Sequence, residues 1–399
     1  MEKVLKENNI PFIVAILSPI IIFTILKSIG YTQGSTKSKV NPVSTHSGAY
    51  SSSKKPLTAP VITPVSDDFD WKTTKPVQYR PFKNGPYRLT MATRRLDPLD
   101  HIILEESYLE RTNLRVEVLE KYGKLLLGCH ESAVESVRES YDYIFKYLLQ
   151  RYPKYFYTIE NENGTLFYNS IRKESFPLNS TNLKPEEMLY GIARNIEEDF
   201  LILLKNPKID EIDEYHLRAN VSCFPAGFNP SEKLNTPLTS IHVPVPEYKE
   251  KLQRSMNRWF ERLQPYEYMV RNNWGFQIGN QLCDPDGYQA TYDELKAIKA
   301  ADPKDLNFNE VFLRVEKQMF TKLPKTGGVL FLSRYYTYPL TQIRSEGEKC
   351  EELCGAIDGL PHKLGLYKRK VYWGDAVKTY LRCESNGSTN EVYEVKMVA

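Results

Sequence analysis

The sequence predicts an α+β domain, an antiparallel sheet with flanking helices, preceded by one transmembrane helix. Three observations lead there. A charge-free apolar run lies near the N-terminus, helical periodicity occurs early and late in the chain, and alternating or β-rich segments cluster between without regular strand and helix alternation.

From Ile10 to Leu26 the chain reads IPFIVAILSPIIIFTIL, a run near the lower length limit for crossing a bilayer as a helix. Residues 10–27 are read as an anchor and 1–9 as an N-terminal tail. Pro19 lies mid-run and no small-x-small site follows, which argues against a cleaved signal peptide. Lys3 and Lys6 on one side, against Lys27, Lys37 and Lys39 on the other, leave orientation undecided by the positive-inside rule. Residues 28–78 are rich in Ser, Thr, Pro and Lys, so they are expected to form a flexible stalk. A dense aromatic and charged pattern begins at Tyr79. The globular domain is placed at 79–383 and a C-terminal tail at 384–399.

Within the domain, Ser132 followed by Glu135 resembles a capping box, and Val137, Tyr141, Ile144 and Leu148 repeat at helical spacing until Pro153. A second helix is expected from Pro185 to Leu204. A third follows Pro246, with Tyr248, Leu252, Met256, Trp259 and Leu263 along one face. The period then changes. Tyr266, Tyr268, Val270, Trp274 and Phe276 fall on alternate positions, which puts Arg271 and Gln277 on the opposite face of a strand. Two β-rich runs, Val311 to Phe320 and Val329 to Tyr338, flank a turn-like LPKTGG and read as an antiparallel hairpin.

With 399 residues, 41% hydrophobic and 12% aromatic, the chain can fill a core, and a net charge of +3 implies neither nucleic acid nor an acidic substrate. Six irregularly spaced cysteines favour reduced thiols over a disulfide framework or a structural zinc site. Cys350 and Cys354 read as core residues alongside Leu340, Ile343, Leu353 and Ile357. There is no glycine-rich phosphate loop, G-x-S-x-G elbow, H-E-x-x-H helix or C-x-x-C-H haem-attachment motif.

One segment remains for chemistry, from Asn220-Val-Ser-Cys-Phe-Pro225 to Ile241-His-Val-Pro-Val-Pro246. The two prolines that bracket Val245 are expected to fix an extended backbone just after His242 and hold its imidazole rigidly. A rigid neutral histidine suits an axial metal position. By residue type alone, a satisfied buried or turn histidine is the stronger reading.

Seven strings widen the reading: Tyr79-Arg-Pro-Phe with Tyr87-Arg-Leu-Thr-Met-Ala-Thr-Arg-Arg-Leu-Asp97, Ile196-Glu-Glu-Asp-Phe-Leu, Cys223-Phe-Pro, Ile241-His-Val-Pro-Val-Pro, Arg271-Asn-Asn-Trp274, Leu313-Arg-Val-Glu-Lys-Gln318, and Leu323-Pro-Lys-Thr-Gly-Gly-Val-Leu-Phe331 through Tyr336-Thr-Tyr-Pro-Leu340. In order and spacing they resemble the alpha-subunit family of haem-dependent oxidative N-demethylases over roughly residues 79–383. The resemblance implies a PAS-like haem domain that binds oxygen and oxidises a small secondary amine. It implies non-covalent haem b, with electrons from NADPH through separate flavin and iron–sulfur components. It also implies His242 as the proximal haem ligand, with His101, His130, His216 and His362 as reserves. Arg271 becomes a candidate propionate partner, with Trp274 of the same motif in the cofactor site. Glu316 and Arg334, on neighbouring hairpin strands, become candidates for polarising oxygen or holding an ammonium, or else a cross-strand ion pair. Phe228, Asn235 and Lys317 stand where the family tends to have tryptophan, glycine and arginine.

Two other readings compete. A membrane-anchored glycosyltransferase would share the layout of tail, span and stalk, with Asp284-Pro-Asp286 as its metal motif and sequons at Asn163, Asn179, Asn220 and Asn386. A non-catalytic PAS-like haem sensor would bind a gas and signal through the stalk. A haem oxygenase fed by a cytosolic NADPH reductase places this single-pass protein in the endoplasmic reticulum membrane, the domain on the cytosolic face.

Overall fold

The expected hairpin forms the middle of the protein. A computed structural model describes residues 57–162, 164–285 and 292–389. Strand β9 (Val311–Lys322) pairs antiparallel with β10 (Val329–Pro339), in a register that sets Val315 opposite Tyr336 and Lys317 opposite Arg334. Five more strands extend this pair: β1 (Arg94–Arg95) and β8 (Met269–Ile278) on one side, β6 (Asp199–Leu204), β7 (His216–Val221) and β2 (Leu127–Cys129) on the other. The sheet order is β1-β8-β9-β10-β6-β7-β2, and all neighbours are antiparallel. A second sheet joins β3 (Phe156–Asn161), β4 (Gly164–Asn169) and β5 (Glu174–Pro177). The α+β expectation therefore holds as mixed helix and sheet around a large antiparallel sheet.

Side chains alternate along each strand, so the register assigns every residue a face. Leu313, Val315, Lys317, Met319 and Thr321 share one face with Leu330, Leu332, Arg334 and Tyr336. We call it the core face. Helices α1 (Tyr108–Tyr122), α2 (Val134–Arg151) and α3 (Pro185–Asn195) and the small sheet pack there with Met319, Leu330 and Leu332. The C-terminal elements, including α5 (Glu348–Asp358) and α6 (Lys370–Leu381), cover its other end around Val315, Tyr336 and Trp274. On the opposite face, Leu203, Leu217, Phe320 and Val329 meet Tyr248, Leu252, Met256 and Phe260 from a π-helical turn, Tyr248–Gln253, and helix α4 (Arg254–Arg262).

Several local expectations need correction. Helix α3 stops at Asn195, and the rest of the segment expected to be helical is β6, an apolar run of Phe200-Leu-Ile-Leu-Leu204 covered on both faces. Such a run carries no period to separate strand from buried helix. Ser132 is not the cap of α2. His130 accepts from the Ser132 amide and starts a 3₁₀ turn that leads into the helix. Residues 57–78 are not a free stalk, because Trp71 is only 7% exposed, Ile62, Val65 and Phe69 pack on the main core, and the Val65 amide donates to Arg151 O at 2.9 Å. The residues of the expected C-terminal tail up to Thr389 are likewise tied down, with Ser388 N donating to Leu306 O and Thr389 Oγ1 accepting from Phe308 N. The expected anchor at 10–27 lies outside the described residues. Among those described, no helix is long and apolar enough to cross a membrane.

Trp71 stands edge-on to Tyr108 at 6.2 Å in the main core. Trp71→Ala is expected to lower unfolding free energy by about 3–5 kcal/mol, measured by denaturant titration. An unchanged midpoint would show that the segment before Tyr79 contributes no core.

Candidate functional site

The turn bearing His242 is built by the residues around it. Pro237 precedes a short helical turn, Leu238–Ile241, and Leu238 O accepts both from the His242 amide at 3.0 Å and at 2.7 Å from its Nδ1. Nδ1 therefore carries the proton and Nε2 is the free nitrogen. The prolines do not extend the chain as expected. Val245 N–H turns back to His242 O at 2.9 Å, so the rigidity comes from a coiled turn. Beneath the imidazole lies Tyr248, 4.6 Å away and 7° from parallel. Glu214 secures the same turn by accepting from Thr239, Gln253 and Asn257. Burial alone would raise the Glu214 pKa, but these hydrogen bonds outweigh it and hold the carboxyl below its usual range. Asn235 enters the turn region at φ +63°, a left-handed conformation that glycine adopts freely and asparagine tolerates. Burial lowers the His242 pKa, against the Leu238 bond and with help from the charge of Arg271.

Arg271 lies on the face of β8 away from Val270 and Trp274, as the alternation predicts, paired in register with Gln318. Its Nε is buried with no hydrogen-bond partner. Burial lowers its pKa, and the nearby Tyr87 and Glu316 do not offset this. Glu316 is on the same face and accepts from Gln318 Nε2 at 2.8 Å and Asn273 Nδ2 at 3.4 Å. Among the described residues it forms no ion pair. Tyr87, Leu89, Pro246, Glu247 and Leu364 line a cavity of ≈ 330 Å³ that reaches the His242 segment. None of His242, Arg271 and Glu316 lines that cavity; the strand register puts Arg271 and Glu316 on one face, and the charge of Arg271 acts on both His242 and Glu316.

Arg334 and Trp274 do not join them. Glu316 is opposite Tyr335, whereas Arg334 is opposite Lys317, so Glu316 and Arg334 point to different sides of the sheet and make no cross-strand pair. Arg334 is buried on the core face, bonded to Glu105 at 2.6 Å, Glu197 at 2.6 Å, Glu198 at 3.2 Å and Ile103 O at 2.7 Å. Such a satisfied guanidinium is structural. Trp274 packs edge-on against Phe82 and Phe276 in the C-terminal core.

The reserve histidines are occupied elsewhere. His101 is buried, its pKa pushed down to about 3 by burial and then by Lys317, and Tyr143, Tyr147 and Tyr268 surround its ring. His130 caps a turn, and His216 Nδ1 faces Glu214 O and Asp210. His362 opens a helical turn, His362–Tyr367. Of the glycosyltransferase features, Asp284 serves a backbone bridge to Ala226, while Asp286 and Asn163 lie outside the described residues. Asn220 is buried and donates to Leu126 O, so that sequon is closed in the fold. No cluster of three metal-ligating side chains occurs among the described residues. Sequence reasoning passed over Glu214, Asn273 and Lys368, since nothing in their spacing announces what they touch. Lys368 donates to Trp274 O at 2.6 Å and Asn273 Oδ1 at 3.3 Å beside the site.

The Arg334 cluster makes stability depend on pH. Burial lifts Glu197 to about 7 against the pull of Arg334, well above its usual 4.5. A carboxyl raised on folding stabilises fully below its unfolded pKa, and that stabilisation is lost as pH rises through its folded value. Glu197→Gln is expected to flatten the fall in stability between pH 4.5 and 7, an effect on the order of 3 kcal/mol, read from denaturant midpoints across that range. A slope equal to that of the wild type would place the titration elsewhere.

A family model described as haem-dependent oxidative N-demethylase, alpha subunit-like, matches residues 92–378.

Proposed function

The chain belongs to that family, and from this premise we propose that it is a haem-binding oxidoreductase that oxidises an amine, with His242 as the axial ligand. The observation that carries the reading is the Nδ1–H···O=C bond from His242 to Leu238 at 2.7 Å. It sets the tautomer and ring orientation that a ligating histidine needs, and leaves Nε2 for iron. The buried, unpartnered Nε of Arg271 fits the same group, because a guanidinium without a carboxylate is suited to a propionate. The donor set of this face therefore suits a haem b held without covalent attachment in a PAS-like pocket.

When bound, haem would supply the oxygen activation that oxidative N-demethylation needs. The residues of this chain bind and orient. Glu316, held by Asn273 and Gln318 and without a cation of its own among the described residues, is placed to accept a hydrogen bond from a substrate ammonium. Arg334 and Trp274 act from the other side of the sheet by holding the floor in place.

A catalytic cycle would draw electrons from NADPH through a separate flavin and iron–sulfur protein, since the sequence carries neither motif. We place the domain on the cytosolic face of a membrane, anchored through 10–26 in the endoplasmic reticulum. Six free cysteines and the buried sequon at Asn220 support that side.

Titration of the purified protein with haem tests the reading. A Soret band is expected for wild type, and His242→Ala is expected to shift or abolish it; an identical spectrum would remove His242 as the ligand, and no band in wild type would end the haem reading. Glu316→Gln is expected to leave the spectrum unchanged and raise KM for amines about tenfold or more, measured by formaldehyde release with a supplied reductase. An unaltered KM would take Glu316 out of substrate binding.

A further inference from the structure

Among the described residues, strand β8 has a neighbour on its outer side for two residues: β1 pairs with Met269 and Val270, and from Arg271 to Ile278 the partner strand is β9 alone. Lys368 follows the His362–Tyr367 turn and reaches this edge, where its ammonium meets Trp274 O and Asn273 Oδ1. Both acceptors are neutral. Glu316 attracts Lys368 and Arg271 alike, yet its hydrogen bonds go to Asn273 and Gln318, and neither cation forms an ion pair among the described residues. Burial lowers Lys368 to about 8, and the like charge of Arg271 adds to the shift.

Two partly buried cations on either side of Asn273, repelling one another and each lacking a carboxylate, destabilise the free protein. Some buried cations of this fold have carboxylate partners: Arg115 has Asp199, Arg218 has Asp210 and Arg334 has three glutamates. Arg314 and Lys317 are held instead by carbonyl and amide oxygens. Among the described residues Arg271 has no ion-pair partner and its Nε no hydrogen bond, and its charge acts on both His242 and Lys368, which is where a ligand would bring negative charge.

We propose that Lys368 and Arg271 together form a two-pronged anion site that takes the two carboxylates of a haem. This inference rests on the haem reading above and adds Lys368 as the second anchoring residue. An ammonium and a guanidinium are complementary to two separate carboxylates, whereas a single small anion would leave one prong unmatched.

The test compares haem with haem dimethyl ester, which has the same macrocycle without the carboxylate charges. Both are titrated into full-length wild type, Lys368→Met and Lys368→Arg, and the melting temperature of each ligand-free protein is recorded. Lys368→Met is expected to bind haem about tenfold more weakly, bind the ester as wild type does, and keep or raise its ligand-free melting temperature. Lys368→Arg is expected to recover most of the haem affinity. An equal loss for both ligands, or unchanged haem affinity, would overturn the inference while leaving haem binding by His242 intact. A lower melting temperature in Lys368→Met with equal losses would assign Lys368 a structural role only. No Soret band in wild type would overturn the haem reading and this inference with it.

Discussion

The guanidinium of Arg334 is where three parts of the chain are made to agree. Glu105 and Ile103 come from the segment before α1, Glu197 and Glu198 from the corner between α3 and β6, and Arg334 from the middle of β10. A buried guanidinium is strongly unfavourable unless its partners arrive together, so the helical layer cannot dock on the sheet in another register without stranding charge. The next pair continues the chain of constraint. Arg115 of α1 binds Asp199 at 2.7 Å, and the same carboxylate accepts from the amides of Cys223 and Phe224. Those amides open the segment that runs to the His242 turn, which is itself fixed by the Leu238 carbonyl and the Glu214 carboxylate.

The two faces of the sheet differ in kind. On the core face, buried charge meets partners: Arg334 bonds three glutamates and Ile103 O, and Lys317, lowered to about 8 by burial and by Arg334, donates to Asp100 O. On the other face, His242 Nε2, Arg271 Nε and the Glu316 carboxylate remain uncommitted or held only by neutral amides. Both layers keep buried polar atoms without partners, Glu198 Oε2 in the first and Arg271 Nε in the second, and the second sets its cation on one face with a free imidazole nitrogen and a carboxylate, the combination that suits a ligand.

Much of this was legible before any coordinates. The β9 and β10 hairpin, the alternation from Val270 to Phe276 and the helical spacing from Val137 to Leu148 each follow from a period that one-sided burial imposes. What failed did so for physical reasons. Phe200 to Leu204 is covered on both faces and so has no period. Residues 57–78 look too polar to fold, but a single tryptophan and a few aliphatics suffice to dock them on a surface built by the rest of the chain. Glu316 and Arg334 sit in adjacent strands, yet whether they share a face depends on a register that a one-residue slip reverses. His242 and Arg271 were readable as types, while Glu214 and Lys368 are defined by tertiary contacts alone.

The short reach of β1 has a further consequence. From Arg271 onward β8 has no second partner strand among the described residues, the kind of edge onto which a neighbouring chain can add a strand. Lys368 places a charge there and occupies the Trp274 carbonyl that an incoming backbone amide would seek. If Lys368 also serves the anion site proposed above, selection against strand addition and selection for ligand binding would act on the same side chain.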